Sequence, residues 1–405
     1  MNFDINAIRA EFPALDQEIN GSPLVYLDNG ASTQKPKAVI NAISQFYSKD
    51  YANVHRGIHS LSQLATDQFE AARETVREFI NASKIEEIVF TSGTTDGINL
   101  IADSFGSAFI GKDDRILVSE MEHHSNIVPW QVLASRVGAH IDIIPIQENG
   151  ELDLAEFHQA ISKQPKIVAV THVSNALGTI NPIDSIIKAS HSVGAKVVLD
   201  GAQSLAHMPV DVQAIGCDFF VFSGHKIFGP TGIGVLFGKE ELLEAMPPYR
   251  SGGDMIKTVS FSGTEYNSLP YKFEAGTPHI AGAIGLAAAI HYINSIGMDA
   301  IEDYEHDLLQ YGTHALSSID GLQLVGTAAN KAGILSFFIE NAHAADIGTL
   351  LDHQGVAIRV GHHCAMPVME KFGLNATSRA SLALYNTKQD IDRLVDALKR
   401  SIKLL

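Results

Sequence analysis

The chain has 405 residues, 45% hydrophobic and 19% charged, with a formal net charge of −17. This composition excludes a disordered tail, a collagen-like repeat and a small disulfide-stapled scaffold. The acidic balance leaves no general electrostatic footprint for nucleic acid or an anionic membrane, so neither is an expected partner.

A length beyond about 250–300 residues implies more than one domain. The only cysteines are Cys217 and Cys364, which points to a reducing compartment. At the N-terminus, Asp4 and Glu11 stand where a signal peptide needs basic and then apolar residues. The longest small-apolar stretch, residues 281–293, is shorter than the ~20 residues a membrane span requires. A cytoplasmic location is expected.

Continuous apolar runs at residues 87–90, 115–119, 141–146, 167–171, 197–200, 219–222 and 233–237 read as strands. Helical patterns at 125–136, 154–162 and 183–191 lie between them. This alternation predicts an α/β fold with a mostly parallel seven-stranded sheet covered on both faces. From residue 294 the pattern changes to a helix over 298–318, strands at 322–325, 333–339 and 356–360, and a helix near 344–353. In the last helix Ile391, Leu394, Val395, Leu398 and Ile402 share one face. These elements predict a smaller α+β domain. The expected division is residues 24–293 as the large domain, with 1–23 and 294–405 as the small one.

Three segments carry chemistry. Ser92-Gly93-Thr94-Thr95 follows a strand and opens a helix, where free backbone N–H groups and hydroxyls form a phosphate cup; ordinary Ser/Thr capping explains the same residues. Asp200 ends a central strand three residues before Gln203, and suits a counter-ion to a ring nitrogen or a helix cap. Asp218-Phe-Phe-Val-Phe-Ser-Gly-His-Lys226 runs a buried strand into Ser223, His225 and Lys226. Desolvation there lowers a lysine's pKa, as Schiff-base chemistry requires, whereas a lone lysine can also snorkel out of a turn. The glycines of Gly229-Pro-Thr-Gly-Ile-Gly234 match no nucleotide loop and read as a turn between strands. Together the three segments meet the needs of pyridoxal phosphate: a held phosphate, a paired ring nitrogen and a trapped aldehyde.

At this point the chain resembles the fold-type I pyridoxal-phosphate enzymes in their class V aminotransferase branch. Arg359-Val-Gly-His-His-Cys-Ala-Met-Pro367 is similar to the active-site cysteine segment of the group II, Suf-type cysteine desulfurases. Tyr26–Ser32, Asn53–His59, Glu122–Ile127 and Phe273–Pro278 also match that group. The longer Ser/Thr-rich cysteine loop of group I enzymes is lacking. The resemblance spans residues 20–387, in the expected order.

The resemblance implies a homodimeric enzyme that converts L-cysteine to L-alanine and leaves a persulfide on Cys364, for a Suf-type acceptor protein of iron–sulfur cluster assembly. Selenocysteine would be a side substrate. Lys226 would bind the cofactor and move protons at the substrate Cα. His123 would stack on the ring, Asp200 would pair with its nitrogen and Gln203 with its hydroxyl. Thr94, Thr95, Ser223 and His225 would hold the phosphate, with Thr277 reaching in from the other subunit. Asn175 and Arg379 would hold the substrate carboxylate, beside Arg359. Asp96 stands where the family often has Glu, which leaves in doubt only contacts that need the longer reach. Three other readings stand beside this one: a class V aminotransferase or lyase without thiol chemistry, a non-enzymatic relative that binds an acidic-surface partner or merely stores cofactor, and a zinc site of Cys364 with His123, His124, His362 and His363. No CxxC partner or paired-ligand spacing supports the zinc site.

Overall fold

The computed structural model describes residues 3–405. Its central sheet has seven strands: β1 (Ile88–Thr91), β2 (Arg115–Ser119), β3 (His140–Ile144), β4 (Ile167–Thr171), β5 (Lys196–Asp200), β6 (Phe219–Ser223) and β7 (Gly234–Gly238). Their spatial order is β1-β7-β6-β5-β4-β2-β3. Strand β7 is antiparallel to both of its neighbours. The pairs from β6 across to β3 are parallel. The expected mostly parallel sheet is therefore present.

Strands β1, β4, β6 and β7 are buried at every position, because helices cover both faces. Successive residues feed opposite cores. Val168, Val170, Leu199, Phe220 and Phe222 join one apolar cluster, and Ile167, Ala169, Val198, Phe219 and Val221 the other. The third strand stops at Ile144 rather than at Ile146 as read from sequence. Pro145 has no N–H for the ladder, and Ile146 keeps only an isolated bridge to Leu152.

Past the sheet comes a hairpin, β8 (Ile256–Ser260) and β9 (Gly263–Tyr266), that the sequence reading lacks. It is exposed along nearly its whole length, so no apolar run marks it. The C-terminal part holds a four-stranded antiparallel sheet: β10 (Leu322–Val325), β11 (Ile334–Ile339), β12 (Arg359–Gly361) and β13 (Thr377–Ser381), ordered β10-β11-β13-β12. Helices Met298–Ser317 and Lys388–Ile402 flank it, and Ile391, Leu394, Val395 and Leu398 are buried on one face. The expected strand at 356–360 is two strands. Val356–Ala357 pairs with Val25–Tyr26, and Arg359–Gly361 joins the sheet. Ile358 divides them. Among the described residues no single helix is long and apolar enough to cross a membrane.

Candidate active site

A cavity of about 260 Å³ opens where β4, β5 and β6 end, roofed by the segment after β12. It brings together Thr94, Thr95, His123, Asn175, Asp200, Gln203, Ser223, His225, Lys226, Arg359, Cys364 and Arg379. Of the residues expected from sequence, only Thr277 lies outside it, on an exposed stretch before the helix Ile280–Ile296.

The segment expected to cup a phosphate lies where β1 meets a helical run over residues 94–109. Gly93 takes φ +147° at the junction, a conformation that favours glycine. The Thr94 amide donates to Ser223 Oγ at 2.8 Å, and Thr94 Oγ1 lies 2.8 Å from the same atom. The next amides of the helix, those of Thr95 and Asp96, have no carbonyl one turn back and remain available to an anion. Asp96 Oδ2 folds back to accept from Ser92 N–H at 3.0 Å, while Oδ1 accepts from Arg250 at 2.7 Å.

Asp200 ends β5 and is 3% exposed. Burial pushes its carboxyl above the usual range, opposed by the Ala202 N–H bond and the Lys226 charge. Lys226 closes the turn directly after β6, and Gly229–Gly234 forms the turn into β7 as read from sequence. Burial pulls the Lys226 amine down to about 8, against the attraction of Asp200. His225 is pulled to about 4 by burial and by the Lys226 charge. Its carbonyl accepts from Thr33 N–H at 3.1 Å, which ties the 30–35 segment to the lysine turn. Gln203 Nε2 donates to Gly30 O at 2.7 Å.

His123 caps a short turn, and its Nδ1 accepts from Ser125 N–H at 3.1 Å. Nδ1 is thus an acceptor, and the neutral ring carries its proton on Nε2. Burial and the Lys226 charge lower its pKa to about 4, so the ring is neutral near pH 7.

The cysteine segment is held by the opposite wall. His363 and Cys364 take φ +53° and +55°, the left-handed region that non-glycine residues rarely enter. Asn175 Nδ2 donates to His363 O at 2.7 Å, and His124 N–H to Cys364 O at 2.7 Å. Met366 N–H donates to His124 Nε2 at 3.1 Å, and Cys364 N–H to His362 Nδ1 at 3.0 Å. These histidine nitrogens accept amide protons, and among the described residues no group of His, Cys, Asp and Glu could hold a metal ion.

Burial and the charges of Arg379 and Arg359 depress His363 to about 3. It supplies no positive charge to the thiol. Cys364 shares the cavity with the cationic side chains of Lys226, Arg359 and Arg379. Arg379 is 2% exposed; its Nη1 donates to Asn175 O at 2.8 Å and its Nη2 to Asp28 at 3.3 Å, while Nε has no partner among the described residues. Arg359 lies 3.7 Å from the same aspartate.

Ser125 stood within the quoted Glu122–Ile127 motif, while the sequence reading passed over Thr171, Val173 and Ala202, which also line the cavity. They are small residues next to recognised ones, with no pattern of their own. Gly30 and Ala31 stood within the quoted Tyr26–Ser32 motif.

A sequence model of the aminotransferase class-V family matches residues 25–394. A cysteine desulfurase of Klebsiella pneumoniae (strain 342) is 52% identical over 406 residues, covering all of both chains. The crystal structure of the Escherichia coli cysteine desulfurase CsdA, in an S-sulfonic acid form, superposes with TM-score 0.93 at 40% identity over 100% of both chains. The apo cysteine desulfurase of Thermococcus onnurineus NA1 gives TM-score 0.95 at 41% identity, over 100% of this chain and 99% of that one.

Proposed function

The chain belongs to the class-V aminotransferase family, and from that premise we propose that it is a pyridoxal-phosphate-dependent cysteine desulfurase that converts L-cysteine to L-alanine and leaves the sulfur on Cys364. The observation that carries this reading is one cavity holding a strand-end lysine, a buried strand-end carboxylate, a helix-start cup and a thiol.

The cavity suits the cofactor. A buried, cavity-lining Asp200 with only one amide donor calls for a cationic or protonated partner, which a pyridine nitrogen provides. When bound, pyridoxal phosphate supplies an electron sink that makes loss of the substrate Cα proton feasible. Lys226 would hold the cofactor covalently and move protons at Cα. Its pKa near 8 leaves a share of free amine at neutral pH. Thr94, Thr95, Ser223 and His225 would bind the phosphate, Gln203 the ring hydroxyl, and neutral His123 the ring face. As a donor through Nε2, His123 can return a proton.

Arg379 would take the substrate carboxylate together with Asn175. Its guanidinium is buried, yet its only ionic contact among the described residues is the 3.3 Å approach to Asp28. That leaves charge for an incoming anion. Arg359 lies at the entrance, half exposed. The Cys364 thiolate attacks the substrate sulfur, the C–S bond breaks, and the carbon takes up a proton. Cysteine and one thiol thus give alanine and one persulfide.

The remaining proposals concern setting. Residues 24–293 would form the cofactor domain, with 1–23 and 294–405 presenting the thiol. The enzyme would work as a homodimer in a reducing cytoplasm, with Thr277 reaching the phosphate of the neighbouring subunit. A Suf-type acceptor protein would collect the sulfur for iron–sulfur clusters, and selenocysteine would serve as a side substrate.

Mass spectrometry of Cys364 after incubation with L-cysteine tests the reading. An added sulfur atom on that residue supports it. Alanine release with Cys364 unmodified at every time point would reject it.

A further inference from the structure

Glu122 precedes His123 and has 0% exposure, yet the reaction described above assigns it nothing. Its carboxyl joins three elements. Oε1 accepts from the Ser119 hydroxyl at the end of β2 and from Thr171 N–H, at 2.8 Å, at the end of β4. Oε2 accepts from Asn126 Nδ2 at 2.6 Å, in the turn that carries His123. Asn126 cannot flip, because its Oδ1 accepts from Trp130 Nε1 at 2.9 Å and an indole only donates. Two fixed donors therefore face the two carboxyl oxygens. Only the Ser119 hydroxyl can turn to accept a proton.

The same residue reaches both walls of the cavity. Thr171 stands opposite Asp200 in the sheet register. Burial pushes the Glu122 carboxyl up to about 8, with the Asp200 charge adding to it and the bonds from Ser119, Asn126 and Thr171 opposing it. We propose that Glu122 is a positioning residue of the desulfurase reaction: its hydrogen bonds fix the His123 turn against the strand ends that carry Thr171 and Asp200. This inference rests on the proposed function.

The test is Glu122→Gln in the holoenzyme, with Ser119→Ala as a milder variant. Glu122→Gln keeps the shape but places an amide against a fixed donor. We expect kcat to fall about tenfold with KM nearly unchanged, the scale of one lost buried hydrogen bond. Ser119→Ala removes one donor to the carboxyl and should lower kcat by less, again with KM nearly unchanged. Unchanged kcat in both variants would overturn the proposal. So would loss of the fold or of cofactor in both, which would make the residue merely structural. Failure of the underlying reading would look different: the unaltered enzyme itself would leave no sulfur on Cys364.

Discussion

Cys217 sits just before β6 with no exposed surface, and burial pushes its thiol up to about 12. Cys364 is partly exposed, lies on strained left-handed backbone, and lines the cavity with Lys226 and Arg379. One thiol is kept protonated by the sheet, and the other is presented by a segment tethered to it. A free cysteine's chemistry follows from such surroundings, because the thiolate is the nucleophile and burial disfavours it. The sheet wall is built from buried parallel strands. The thiol wall depends on a few hydrogen bonds across the cavity, from Asn175 and His124.

That contrast can be broken at its strongest point first. Lys226→Ala should cut alanine release by about a thousandfold or more, the scale of a lost acid–base and covalent group, and cofactor should separate on gel filtration. Cys364→Ser should keep the cofactor bound while persulfide and sulfur delivery disappear, read by mass spectrometry and acceptor labelling. Unaltered sulfur delivery in that variant would refute the thiol chemistry.

Weaker perturbations sharpen the comparison. Asn175→Ala releases both the His363 carbonyl and its own part of the substrate site, so KM for L-cysteine should rise about tenfold, the cost of one buried hydrogen bond. The buried imidazoles give a pH signature. His123 and His225 are lowered to about 4 and His363 to about 3, against about 6.5 unfolded. Depressed pKa values mean the unfolded chain binds more protons in this window. Their stability contribution is whole above pH 6.5 and is lost as pH falls toward 4. Urea midpoints of the cofactor-free protein should fall across that range; a flat profile would contradict buried neutral rings. Smallest of all, Cys217→Ala should cost about 1 kcal/mol in denaturation and leave sulfur release untouched.

Much of this was legible in the chain. The strand-end lysine and aspartate announce themselves because buried parallel strands read as apolar runs, and a charged residue at such a run's end stands out. Trp130, the one tryptophan, on the helical pattern read at 125–136, is fully buried and donates to Asn126. The hairpin Ile256–Tyr266 was not legible, since an exposed strand pair has no apolar run to mark it. The charge state of His363 was hidden too. Its sequence neighbours show a histidine beside a cysteine, but not the two arginines and the burial that hold it neutral.

Sequence by itself determined the sheet, and its motifs, through the resemblance they carry, singled out the proposed cofactor groups and Cys364, because periodicity and local motif are properties of neighbouring residues. Tertiary structure decided which groups share one cavity, which proton each ring carries, and how Glu122 links the His123 turn to the strand beside Asp200. Those depend on contacts between residues tens to hundreds of positions apart, such as Asn175 with His363 and Arg379, and on the desolvation that only a closed core imposes.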